Sequence, residues 1–325
     1  MDKKYLQAKE KALKIKRSVS NLIWINGTDE ISSFFTLMGN SIYISAVELS
    51  LFNIFNSTTV SDSNLDDILS ECENCSLEIS GVHNIFADTE NFQESLFFSK
   101  DVYNRTLNRI KEYIEYTDRL GTKNLSLDYM YFLDRKEMSK RDADRIFLSL
   151  LDEVSDILKE KDIVLSIVPT AGDYLSNYVE AVHLLEKREY TNIKILIDLV
   201  ELFNTFSHDI KFFKDKERFF HHFHISNLDG SPATFDDIPM HNKIVNLSHY
   251  MDYKNSFFVM KVPNLSDEDK DNFANYQHYI HIFKEIYQVP IALSPFCSKL
   301  FPNLVYRHLS PEGPDKDHLR NQANH

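Results

Sequence analysis

The sequence predicts a parallel α/β fold closed into a single (β/α)8 barrel, and three observations carry the prediction. Eight short strand-like runs alternate with amphipathic helical stretches. Each strand-plus-helix unit has the length of one barrel repeat, and eight of them fill the roughly 250 residues such a barrel needs. Glycine is scarce, 7 in 325 residues, and neither GxGxxG nor GxxxxGK[ST] occurs. A doubly wound sheet, the second choice, would more often carry such a Gly-rich first turn.

The strand runs are Val19–Trp24, Tyr43–Leu49, Leu77–Phe86, Lys123–Leu127, Ile163–Val168, Ile193–Leu199, Phe220–Ser226 and Ser256–Val262. Helical spacing of apolar residues marks the segments between them. Asp101–Leu120 places Val102, Leu107, Ile110, Tyr113, Ile114 and Thr117 on one face, and Lys140–Lys159 does so with Ile146, Leu150, Leu151, Val154 and Leu158. Tyr174–Lys187 is a shorter helix, and Asp267–Tyr287, with Ser266 as its N-cap, closes the series. The barrel thus spans 18–287. Residues 1–17 are Lys-rich with Leu6, Ala8 and Leu13 at helical period, which predicts a helical extension on the outside or bottom of the barrel. Residues 288–309 hold three prolines and Cys297 and read as an irregular extension; 310–325 read as a disordered polar tail.

Composition excludes several function classes. The chain carries 36 basic and 49 acidic side chains, a net charge of −13, which argues against a nucleic-acid partner. No apolar run approaches the roughly 18 residues that cross a bilayer, so no membrane partner is expected. Met1-Asp2-Lys3-Lys4 leads into no apolar stretch of a secretory signal. Three cysteines build no disulfide framework, so the expected location is the cytoplasm. Cys72 and Cys75 form a CxxC, but it precedes a strand instead of opening a helix, and no second pair completes a zinc site.

Barrel active sites lie at the C-terminal ends of the strands. The polar residues there are Glu48, His83, Asp128, Asp198, His222, His224 and Lys261, while strand 5 ends on Val168-Pro169. A histidine on a half-buried strand is ordinarily a satisfied core residue; the shared location at one barrel end is what suggests chemistry.

The ordered stretches LEISGVHNIF, LGTKNLSLD, VLSIVPTAGDY, NIKILIDLVEL, FFHHFHISNLDG and HNKIVNLSHYMDYKNSFFVMKV resemble the xylose isomerase-like TIM barrels, the sugar phosphate isomerase/epimerase group related to metal-dependent apurinic endonucleases. The most specific part is HFHIS at His222–Ser226, followed by His241. The resemblance implies a divalent metal held by a Glu ending strand 5, an Asp or His near strand 6, a His near strand 7 and a Glu on strand 8. Here those positions read Val168, Asp198, His224 and Lys261, and the histidine often found after strand 6 is Glu201. Valine supplies no lone pair and an ammonium repels a cation, so no metal cofactor is expected. A rearranged site from Asp198, Glu201 and His224 would require Glu201 to turn inward.

The resemblance then implies a sugar (phosphate) isomerase/epimerase-like protein acting on a small carbonyl or sugar-type ligand without the family's metal. Glu48 and Asp198 are the candidate bases, and Lys261 is the candidate electrophile, or a salt-bridge partner of Asp198 or Glu201. His83, His222, His224 and His241 are candidate substrate-binding residues. The alternative is a catalytically inactive pseudoenzyme kept as a binding or partner module. Apurinic endonuclease activity is disfavoured, because the metal-cluster ligands and a basic surface are missing.

Overall fold

The computed structural model describes residues 16–21, 31–39, 44–57, 59–88, 92, 94–128, 130, 133–170, 172–205, 210–213, 216–225 and 257–261. The expectations for 1–15, for helix Asp267–Tyr287, for 288–325 and for His241 lie outside these residues.

All eight predicted strands form: β1 (Lys16–Ser20), β2 (Ala46–Leu49), β3 (Glu78–Val82), β4 (Asn124–Leu127), β5 (Val164–Ile167), β6 (Ile193–Asp198), β7 (Phe220–Ile225) and β8 (Phe257–Met260). They hydrogen-bond in sequence order, every pair parallel, and β1 pairs with β8 to close the barrel. β1 begins earlier than its apolar run. Lys16 and Arg17 pair in register with Phe257 and Phe258, so two residues expected at the end of the helical extension are the first two of the barrel.

The helices are α1 (Ile31–Gly39), α2 (Leu51–Phe55), α3 (Asp62–Asn74), α4 (Lys100–Arg119), α5 (Lys140–Glu160), α6 (Tyr178–Leu185) and α7 (Leu199–Thr205). The first three and α7 were not read from the sequence. α4 and α5 match their periodic stripes, and Val102, Ile110, Tyr113, Ile114, Leu150, Leu151, Val154 and Leu158 are all buried. Ser61, Ser99, Ser139 and Asn177 cap α3 to α6, each side chain accepting from the backbone N–H three residues on. Such a cap contributes about 1 kcal/mol. The Asn177 cap also explains why α6 starts at Tyr178 and not at Tyr174.

Strand alternation sorts the barrel into two regions. Val19, Val47, Leu49, Leu125, Leu127, Leu165, Ile167, Ile195 and Ile197 face the helices and join the main apolar core. The residues between them, Ser18, Ser20, Glu48, Ser80, Asn124, Ser126, Asp128, Ser166 and Asp198, fill the interior and are buried. Barrel interiors are usually filled by branched aliphatic side chains. Here a short apolar patch of Ala46, Phe257 and Val259 coexists with a polar interior in which Ser18 Oγ and Ser80 Oγ lie 2.6 Å apart. Polar groups withdrawn from water are costly unless partnered, so this interior points to a function.

Candidate functional site

The C-terminal half of the interior holds one connected cluster. Lys261 follows β8, and its Nζ donates to Asp128 Oδ2 at 3.1 Å and lies 3.6 Å from Asp198 Oδ2. Asp128 stands one residue past β4; its Oδ1 accepts from the Asn84 N–H at 2.7 Å, and its Oδ2 lies 3.3 Å from His83 Nδ1. Asp198 ends β6, and its Oδ1 accepts from the N–H groups of Val200 and Glu201. Its Oδ2 is 3.8 Å from His224 Nδ1. Asp128 and Asp198 therefore stand behind two imidazoles, those of His83 and His224.

The opposite edges of these rings turn toward Glu48. His224 Nε2 is 2.9 Å and His83 Nε2 3.7 Å from Glu48 Oε2, and His222 Nε2 is 2.8 Å from Glu48 Oε1. The ring centroids of His224 lie 5.5 Å from those of His83 and 5.7 Å from those of His222. Glu48, His83 and His222 are 0% exposed, and Lys261 is 4% exposed. Ser20 Oγ, 2.8 Å from His83 Nε2, completes the network on the β1 side.

A β-bulge brings the histidines of FHHFH inward together. Ile195 pairs with Phe220 and Ile197 with Phe223, so β7 spends one residue more than β6 over this interval. His222 takes the left-handed region at φ 72, a conformation that costs a non-glycine residue about 1 kcal/mol or more. Consequently His221 reaches Asn124 Oδ1 at 2.5 Å in the lower interior, while its neighbour His222 reaches Glu48. Gly81, opposite, leaves little room for a side chain. A Cβ on Gly81 would come within 3.1 Å of Asn124 Cβ and 3.3 Å of Glu48 Oε1.

Burial raises the carboxyl of Glu48, but His224, His83 and His222 outweigh it and hold it well below the ordinary range. Asp128 is likewise lowered: burial pushes it up, and the Lys261 ammonium, followed by His83, pulls it further down. Burial lowers His224 against the pull of Glu48.

Six of the seven sequence candidates, Glu48, His83, Asp198, His222, His224 and Lys261, thus share one cluster, and His241 lies outside the described residues. Asp128, a strand-end residue outside that candidate set, is the nearer partner of Lys261, ahead of Asp198. Glu201 sits in the first turn of α7, and among the described residues the group able to converge on a metal is Glu48, His222 and His224. The family-type position does not fit a divalent ion. Val168 is buried with no donor, and the Lys261 ammonium occupies the space between the carboxylates. Away from this end, a cleft of about 400 Å³ opens at the N-terminal mouth beside Asn124, Lys194, Arg218 and His221. Lys194 there donates to the Arg218 carbonyl, and barrel chemistry sits at the other face.

No curated protein matches the sequence. Among solved structures, a D-psicose 3-epimerase in the presence of D-fructose aligns with a TM-score of 0.66 at 11% identity, covering 84% of this chain and 96% of its own. A D-allulose 3-epimerase from Methylomonas sp. in complex with D-allulose aligns at 0.61 and 10% identity, covering 85% and 95%. The IOLI protein with a bound zinc atom aligns at 0.58 and 12% identity, covering 86% and 98%. At such identities these likenesses establish the fold. No helix among the described residues is long and apolar enough to cross a membrane. The model of the xylose isomerase-like TIM barrels matches residues 44–270, most of the chain, and the protein belongs to that family.

Proposed function

We propose that the C-terminal mouth binds a small carbonyl or sugar-type ligand and performs isomerase or epimerase chemistry without a metal at the position between strands 5 and 8. The observation that supports this is the Lys261 ammonium, set between Asp128 and Asp198 where the family pattern calls for a cation. An ammonium there offers charge and a hydrogen bond to a carbonyl oxygen, and more strongly to the enolate that replaces it. Asp198, 6% exposed at the end of β6, is the proton acceptor. The proton on the carbon beside the carbonyl passes to Asp198, the C–H electron pair becomes the enolate double bond, and the negative charge settles on the oxygen facing Lys261. Return of the proton to a different face or carbon yields the epimer or isomer. Glu48 is a poorer base than the sequence suggests, since its carboxylate is fully buried among three imidazoles. His83 and His224 orient the two aspartates, and His241 remains a candidate substrate contact. The sugar ligands of the structural neighbours make ketoses the first compounds to try.

One observation favours the second reading, an inactive binding module. Asp198 Oδ1 already accepts two backbone N–H groups, so that oxygen is engaged and not open to a proton from the ligand. Both readings predict binding at the mouth. Calorimetric titration with ketohexoses and ketose phosphates should give saturable binding of at least one, weakened tenfold or more in Lys261→Arg, whose bulkier head cannot sit between the same carboxylates. Binding unchanged by that substitution, or absent for every compound, contradicts the reading.

A further inference from the structure

The inner half of the cluster has features that the mouth chemistry leaves unexplained. Glu48 Oε2 and His224 Nε2 face each other at 2.9 Å, yet both are buried without a hydrogen bond, as is His222 Nδ1. In the tautomer that leaves the Nε2 lone pair free, 2.9 Å is the spacing of two ligands on one ion. The ligand atoms of Glu48, His222 and His224 all lie within 4.8 Å of one another. His83 Nε2 faces the same carboxylate at 3.7 Å.

The surroundings of His83 match what a metal-bound imidazole requires. Ligating histidines usually present their second ring nitrogen to a carboxylate, which fixes the tautomer and strengthens the donor. His83 Nδ1 has Asp128 Oδ2 behind it at 3.3 Å, and His224 Nδ1 faces Asp198 Oδ2 at 3.8 Å, beyond hydrogen-bond reach. Lys261 ties those two carboxylates together from above.

Charge balance points the same way. The buried cluster contains three carboxylates, of Glu48, Asp128 and Asp198, and one ammonium. Its carboxylates and its ammonium together sum to −2. The four family-type positions alone sum to zero, which is why the sequence suggested no need for a cation; Glu48 and Asp128 supply the difference. A charge of −2 shielded from water demands compensation, either by two imidazolium ions or by one divalent cation.

We propose that Glu48, His222 and His224, with His83 closing the fourth position, form a transition-metal site one layer below the barrel mouth, displaced from the family-type position toward strands β2, β3 and β7. Three imidazoles and one carboxylate form a set that suits zinc better than the hard ions magnesium or calcium. His83 would exchange its contact with Ser20 for the ion. The site needs no ligand from Val168 or Lys261, and it adjoins the proposed turnover only through His83 and His224, which lie between the ion and the two aspartates.

The test uses the full chain, stripped with a chelator and titrated with zinc chloride alone and with magnesium chloride alone. One equivalent of zinc should bind, with no magnesium binding in the same range. Glu48→Gln and His222→Asn should each weaken zinc binding at least 100-fold, while His183→Asn, on an exposed turn of α6, should leave it unchanged. Should the site variants fail to fold, X-ray absorption of the zinc-loaded wild-type protein reads the ligands directly. At least two imidazoles and one carboxylate oxygen support the site. No stoichiometric zinc, a zinc bound equally well by Glu48→Gln, or a shell with fewer than two imidazoles overturns it and leaves imidazolium ions as the compensating charge. Zinc binding as described together with no ketose binding would sink the mouth reading alone; ketose binding without zinc would sink the metal site alone.

Discussion

Lys261 Nζ donates to Asp128 Oδ2 at 3.1 Å, so a single ammonium after the last strand anchors the carboxylate that follows β4. The same ammonium is 3.6 Å from Asp198, and all three groups are buried. Breaking a buried pair from one side typically costs about 3–5 kcal/mol, because the remaining charge is left uncompensated. Lys261→Met should destabilise the fold by that order in urea unfolding. Adding Asp128→Asn should restore part of the loss. A double variant no more stable than the single one would show that the two groups are not coupled.

Gly81 lies against Asn124 and the Glu48 carboxylate. Gly81→Ala introduces contacts near 3.1 Å, tighter than ordinary packing allows. Overpacking of this kind costs about 1–3 kcal/mol. The expected result is a lower urea midpoint with an unchanged m-value, and a displaced Glu48 should weaken zinc binding in the same variant.

Asp173, in the loop after β5, is pushed up to about 6 by burial and by the carboxylates of Glu201 and Asp134. Its folded-state value exceeds the ordinary 3.8, so the folded protein holds this proton more tightly than the unfolded chain does. The resulting penalty on folding is absent below about pH 4, grows as the pH rises toward 6 and is constant above. Asp173→Asn should therefore stabilise the protein at pH 7 to 8 by on the order of 1 kcal/mol, a value discounted because the side chain is partly exposed and screened. The gain should fade toward pH 4. A gain that does not vary with pH would assign the effect to packing.

Cys72 and Cys75 differ despite the CxxC spacing. Cys72 is buried in the last turn of α3, and burial, with Cys75 and Glu71 adding to it, pushes its thiol up to about 12. Cys75 is the partly exposed C-cap of the same helix. Iodoacetamide at pH 8, followed by peptide mass spectrometry, should label Cys75 at least tenfold faster than Cys72. Equal labelling, or a disulfide between them under mild oxidation, would restore a redox role.

The strands and their order were legible because each is an apolar run with a polar end. Most of the site was legible for the same reason, since a parallel barrel carries every strand end to one mouth. β1 was misread at its start because charged Lys16 and Arg17 gain their strand identity from pairing with β8, which no local pattern reveals. Helices α1 to α3 and α7 are short or lack a long periodic stripe. The bulge at His222 is invisible in sequence, since strict alternation would turn His221 and His222 to opposite faces. Asp128 was visible as a strand end, but its partnership with Lys261 is set by barrel closure across strands distant in sequence. Glu48 was legible as a polar strand end yet not as the centre of three imidazoles, because His222 and His224 reach it across the barrel interior from β7, a contact that no local pattern reveals.

The most direct test of the account is proton exchange at the mouth. A ketose that binds the wild-type protein is incubated with it in D2O, and the C–H beside the carbonyl is followed by NMR. The account predicts loss of that proton signal at a rate proportional to enzyme, reduced at least 100-fold in Asp198→Asn and in Lys261→Arg, with product epimer or isomer appearing in step. Binding without any exchange, or exchange that survives both substitutions, would contradict it.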